Sequence, residues 1–122
     1  MKFKESKSIY LQIADRIMDE ILQDIYKEEE RIPSVREYAA MVEVNANTMV
    51  RTYDYLQGLD IIYNKRGIGY FVGNGAKDRI LSFRKKVFLD EELPEMFRTM
   101  KILDISEQEM STLYKQFLKD NK

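Results

Sequence analysis

The chain has 122 residues, 44% of them hydrophobic and 34% charged, with a net charge of −1; that suits one compact domain, or a small domain with an extension. It contains no Cys and no His, which removes thiol catalysis, structural zinc, Ser-His triads and histidine acid/base chemistry together. With no Gly-rich phosphate loop, no apparent carboxylate pair in a pocket, no apolar run of 18 residues and no signal peptide, the expectation is a cytoplasmic non-enzyme without cofactor, metal, catalytic residue or membrane partner.

Residues 1–7 are polar and basic and read as a loose arm, carrying Lys2, Lys4 and Lys7. From Ser8 onward, Ile9, Ile13, Ile17, Ile21 and Ile25 recur at every fourth position with Tyr10, Ala14 and Met18 beside them. That pattern predicts an amphipathic helix of about 18 residues whose stripe is core. Residues 26–31, with three successive glutamates, read as a solvated turn.

Pro33 cannot continue an earlier helix, Ser34 suits an N-cap, and Glu37 three residues on completes a capping box. A short helix is predicted over about 34–42. After a turn of Glu43 and Val44, Asn45 suits a second N-cap. Met49, Tyr53 and Leu56 then recur at i, i+4 and i+7 as an inward stripe, which leaves Asn47, Thr48 and Arg51 together on the outer side. Helix, tight turn, helix is the geometry that lays a second helix in the DNA major groove. Asn pairs there with adenine, Arg with guanine, and Thr with bases or phosphates. Three polar residues on a helix also simply face water, and the flanking sequence decides between the two readings. Ile61-Ile62-Tyr63-Asn64 and Gly69-Tyr70-Phe71-Val72 are β-prone runs around Lys65-Arg66-Gly67-Ile68, a hairpin with a basic tip. The fold class is therefore mainly α with a small β-hairpin, a winged helix-turn-helix.

The stretch 9–72 resembles the DNA-binding domain of the GntR family of bacterial transcription regulators. The likeness rests on Ile9-Tyr10-Leu11-Gln12-Ile13, on Ile32-Pro33-Ser34-Val35-Arg36-Glu37, and on Val44-Asn45-Ala46-Asn47-Thr48-Met49-Val50-Arg51-Thr52-Tyr53. The last run is most similar to the YtrA-type pattern V-N-x-N-T-V-x-R-x-Y. The resemblance implies DNA contacts at Arg36, Asn45, Asn47, Thr48 and Arg51 and at the wing tip Lys65, Arg66 and Gly67, with Ser34 beside them. Three departures from the family stand out: Ala46 replaces a common Pro, Glu28-Glu29 replaces Pro-Gly, and Asp60 replaces a C-terminal Gly while Gly58 sits two residues earlier.

Net charge near zero is unusual for a duplex binder. Lys2, Lys4, Lys7, Arg36, Arg51, Lys65 and Arg66 nevertheless fall on the arm, the two DNA-facing helices or the wing, while acids gather over 15–30, so a basic face on an acidic body is expected. Gly73-Asn74-Gly75 suppresses helix and strand and marks a linker, dividing the chain into a DNA-binding domain, 1–75, and a helical dimerisation region, 76–122.

In that region Ile80, Leu81, Phe83, Val87 and Phe88 mark one segment to about residue 89 and Pro94 opens a second through Met96, Phe97, Met100 and Leu103. Ser106 and Glu109 form a capping box before Met110, Leu113, Tyr114, Phe117 and Leu118. So much apolar surface on a short tail implies a partner, most economically a second copy reading an inverted-repeat operator. The expected function is a sequence-specific, homodimeric DNA-binding regulator, a repressor, with transporter genes as targets by the YtrA-type resemblance. The alternative is a protein-interaction module that has lost DNA binding. A small-molecule effector would sit among tail helices around Phe83, Phe97 or Tyr114, although aromatics at helical spacing are more often core or interface.

Overall fold

The computed structural model describes residues 7–122; Lys2 and Lys4 of the expected arm lie outside them. The chain forms two compact units, Met1–Phe83 and Arg84–Lys122.

In the first unit α1 (Ile9–Leu22), α2 (Val35–Val42) and α3 (Ala46–Gly58) precede a hairpin of β1 (Ile62–Lys65) and β2 (Gly69–Val72), and α4 (Ala76–Val87) follows. α1 is shorter than its isoleucine spacing suggests. Each four-residue step overshoots a helical turn by about 40°, so five residues at that spacing cannot share one face. Ile13, Ile17 and Ile21 point inward with Ala14 and Met18, while Ile9 and Ile25 are exposed and Asp24 turns the chain at φ 62°.

α2 starts as expected. The Ser34 hydroxyl accepts from the Glu37 N–H at 3.1 Å and the Glu37 carboxylate accepts from the Ser34 N–H at 2.8 Å, satisfying two otherwise unpaired helix-start donors. The Ser34 N–H, with the Ser34 hydroxyl beside it, holds the Glu37 carboxyl below its ordinary pKa. Glu43 then takes left-handed backbone at φ 56°, and the Asn45 side chain accepts from the Asn47 N–H at 2.7 Å to open α3. Met49, Tyr53 and Leu56 are completely buried. Asp60, in place of the family's glycine, adopts φ 59° after α3 ends.

The hairpin pairs Ile62 with Val72 and Lys65 with Gly69, so Lys65 belongs to the strand and the connecting loop is 66–68. Residues 26–31 are not a free solvated turn. The Glu29 N–H donates to the Val72 carbonyl, Val72 to Glu30 and Ile32 to Tyr70, and Arg31 bridges Phe71. The segment thus adds an edge to the wing, because β2's outer groups need partners.

Buried hydroxyls hold the core in one arrangement. Tyr38 donates to Glu20 and Tyr53 to the Pro33 carbonyl, both at 2.6 Å. Burial pushes both phenols well above their usual pKa, and they stay neutral donors.

Gly73-Asn74-Gly75 does not act as a linker. The Gly73 N–H donates to the Ile61 carbonyl at 2.8 Å, and Arg79 clasps the carbonyls of Asp60 and Asn74. The Glu28 carboxylate accepts from the N–H groups of Gly75 and Lys77 at 2.9 and 3.1 Å, capping α4 from 47 residues upstream. These bonds, with Lys77 beside them, hold its pKa below normal. Ala76 and Ile80 are buried in the core. The start of α4 therefore belongs to the first unit, and the units part within the helix rather than at the glycines.

In the second unit a π-helical turn, Phe88–Glu92, joins α4 to α5 (Leu93–Ile102), and α6 (Glu107–Asp120) follows. Pro94 stands in the first turn of α5 as expected, and the π turn runs into that helix without a gap. A π turn widens the spiral just ahead of a residue that cannot donate and would crowd the preceding turn. Ser106 caps α6 by accepting from the Glu109 N–H at 3.0 Å; only this half of the predicted box is seen among the described bonds. No residue of α5 or α6 is buried.

Candidate nucleic-acid interface

α3 has a dry side and a wet side. At about 100° per residue, Asn47, Arg51 and Asp54 share the middle of the outer face, with Thr48 on one flank and Val50 on the other. Asn47, Val50, Arg51 and Asp54 are exposed, whereas Thr48 is half-buried. Thr52 is fully buried, and its hydroxyl donates toward the carbonyls of Tyr10 and Thr48 at 2.9 and 3.1 Å. That bond ties the start of α1 to the middle of α3. The Arg51 guanidinium lies over the Tyr10 ring, 4.1 Å from its centroid.

The other predicted residues divide by what their side chains already do. Ser34 and Asn45 both spend an oxygen on a helix cap, so either can meet a phosphate only with its remaining polar hydrogens. Arg36 stands exposed in the first turn of α2. On the wing, Tyr63 stacks on Phe71 at 5.8 Å and Lys65 extends its ammonium over the same ring at 4.6 Å. Lys65 is thus drawn along the strand face and away from the tip. Arg66 and Gly67 occupy the exposed loop, where Gly67 has φ 78°. The structure brings Asn47 and Arg51 together as expected, leaves Thr48 at their edge, and separates Lys65 from Arg66.

Three residues escaped the sequence reading. Val50 is 43% exposed beside Asn47, an apolar group of the kind that meets a thymine methyl. Asp54 continues the outer face, and carrying the helical periodicity one turn further would have found it. Arg31 lies against Gly69, with its Nε only 2.8 Å from where a Cβ there would stand. It adds a cation at the wing base, and no local pattern signals that, because the approach is tertiary.

The tail holds a groove lined by Phe88, Leu93, Met96, Glu107, Met110, Ser111 and Tyr114. Of the aromatics expected around an effector, only Tyr114 lines it. Phe83 instead meets Tyr55 edge-on in the first unit, and Phe97 is exposed.

The model for bacterial regulatory proteins of the gntR family matches residues 9–72. The uncharacterised HTH-type transcriptional regulator YhcF of Bacillus subtilis is 36% identical over 116 residues, spanning 95% of this chain and 94% of its own. The HTH-type transcriptional repressor YtrA of the same organism is 31% identical over 93 residues, covering 76% and 71%. A crystal structure assigned to the same family, from Bacteroides thetaiotaomicron, superposes with a TM-score of 0.84 at 54% identity, covering 94% of this chain and all of that one.

Proposed function

The chain belongs to the GntR family of bacterial regulatory proteins, which makes it a DNA-binding transcriptional regulator and not an enzyme, and on that premise we propose that it is a repressor binding an inverted-repeat operator as a homodimer. The observation that carries the reading is the exposed Asn47–Arg51 face of a helix that is capped at its start and buried on its other side. Asn47, Thr48 and Arg51 read bases; Ser34, Arg36 and Asn45 hold phosphates or the base edges nearby; Lys65, Arg66 and Gly67 grip the adjacent minor groove or its backbone. The first unit supplies DNA binding, and the helical region after it, 84–122, supplies dimerisation and any effector response. The apolar surface supporting the second copy is large for one short unit: Ile102, Leu103, Tyr114 and Phe117 are 82%, 63%, 60% and 58% exposed. Repression is supported by the likeness to the transcriptional repressor YtrA, and transporter genes are the targets that the YtrA-type resemblance of the 44–53 run implies.

The test is selection from a random duplex library by the purified protein, with the mass of the complex measured and binding repeated at several salt concentrations. An enriched two-fold symmetric site carrying two chains is expected, with affinity falling by about 0.9 log units per log unit of salt for each phosphate neutralised. Arg51→Ala should cost about 1 to 3 kcal/mol and relax preference at one position, while Lys65→Ala should weaken all sequences nearly alike. A folded protein that enriches no sequence at low salt would sink the reading and favour an interaction module.

A further inference from the structure

We propose that Tyr10, in the first turn of α1, is a positioning residue for sequence reading: its ring is a fixed platform that holds the Arg51 guanidinium in the pose in which it meets the operator. The proposal rests on Arg51 being a base-reading residue.

The platform is held at both ends. Its backbone carbonyl accepts from the buried Thr52 hydroxyl at 2.9 Å, so α3 grips Tyr10 one residue from Arg51. Its ring meets Tyr55 edge-on, with centroids 6.1 Å apart and planes at 81°, and Tyr55 meets Phe83 in the same way at 6.4 Å and 74°. Edge-to-face pairing resists ring rotation because each edge hydrogen sits against a π-face. Arg51 lies over a face of that ring, with Cζ 4.1 Å from its centroid, where a guanidinium is attracted by the ring quadrupole. An exposed arginine otherwise samples many rotamers, and freezing them on binding opposes affinity. A ring already fixed by two neighbours removes part of that cost before DNA arrives, and it also restricts which base edge the fork can reach. Tyr10 lies outside the helix-turn-helix and would be assigned to the core by its place on α1, yet it is only half-buried.

The experiment is a double-mutant cycle on the site enriched from the random duplex library by the parent chain, using Tyr10→Leu, Arg51→Ala and the pair, with Tyr10→Phe as the conservative variant. Melting temperatures confirm folding of each. Tyr10→Leu should weaken the selected site about fivefold, in the range that exposed cation–π contacts allow, and relax preference at the same base pair as Arg51→Ala. In the Arg51→Ala background it should change nothing further, and Tyr10→Phe, which keeps the ring, should bind like the parent. Equal losses from Tyr10→Leu with and without Arg51 would overturn the proposal, since a purely structural role is additive. So would a Tyr10→Phe loss matching that of Tyr10→Leu, which would place the effect in the hydroxyl, or tighter binding by Tyr10→Leu, which would mean the ring holds Arg51 back. A parent chain that enriches no sequence would remove the regulator reading itself and this proposal with it, whereas enrichment by the parent with additive variants removes this proposal alone.

Discussion

Helices α3 and α6 are built to the same plan and end in opposite circumstances. α3 has 13 residues and α6 has 14, each begins on a side-chain cap and each carries an apolar stripe. In α3, Met49, Thr52, Tyr53 and Leu56 are wholly buried; in α6 nothing is. The difference lies in what surrounds them. α3 is met by α1, α2 and the wing within one unit, whereas α6 has the last turn of α4, the π turn and the short α5 in its own. A stripe at helical spacing declares that a surface must be covered, and it does not say by which chain.

The largest expected effect separates the two helices outright. Leu56→Ala should destabilise the first unit by about 2 to 5 kcal/mol, read as the shift in denaturant unfolding followed by circular dichroism. Leu113→Ala should change the stability of an isolated chain by less than about 0.5 kcal/mol. Equal losses in protein dilute enough to be monomeric would break the comparison and show that α6 completes a core of its own. Next, Leu113→Glu combined with Phe117→Glu should weaken the proposed pairing by about 2 to 4 kcal/mol, as buried interface anchors do. Light scattering should then report one chain where the parent gives two, with the winged helix still folded. A dimer that survives both charges would move the interface off α6.

Smaller effects sharpen the account of α3 and α4. Asn45→Ala removes an N-cap and should cost about 1 kcal/mol, with faster amide exchange confined to the first turn of α3. Weakest of all should be Glu28→Gln, visible only through pH. The Glu28 carboxyl is held below its ordinary pKa by the N–H groups of Gly75 and Lys77. Its contribution is therefore complete above the ordinary glutamate value of about 4.3 and is lost as pH falls through the depressed one. The parent's stability should drop more steeply than the variant's between about pH 5 and 3; parallel curves would show that the cap contributes nothing measurable.

The features legible in the sequence were those that local chemistry specifies. Ser34 with Glu37, and Asn45 at the head of α3, announce helix starts because unpaired backbone donors sit two or three residues away. Met49, Tyr53 and Leu56 announce an inward face. The misreadings came where partners are remote in sequence. The charged run at 26–31 looked solvated because its partners Phe71, Val72 and Gly75 lie more than 30 residues downstream. Gly73 and Gly75 looked like a linker because the groups that accept from their N–H donors, the Ile61 carbonyl and the Glu28 carboxylate, are not neighbours either.

On the interface the division is the same. Spacing alone put Asn47 and Arg51 on one face of a capped helix and put Arg66 and Gly67 in a turn, since both follow from helical periodicity and from turn chemistry. Only the folded chain drew Lys65 onto Phe71, set Arg31 against Gly69 and laid Arg51 on Tyr10. Those pairings depend on where side chains 6 to 41 positions apart come to rest when α1, α3 and the wing close over a common core, and a one-dimensional pattern carries no record of that distance.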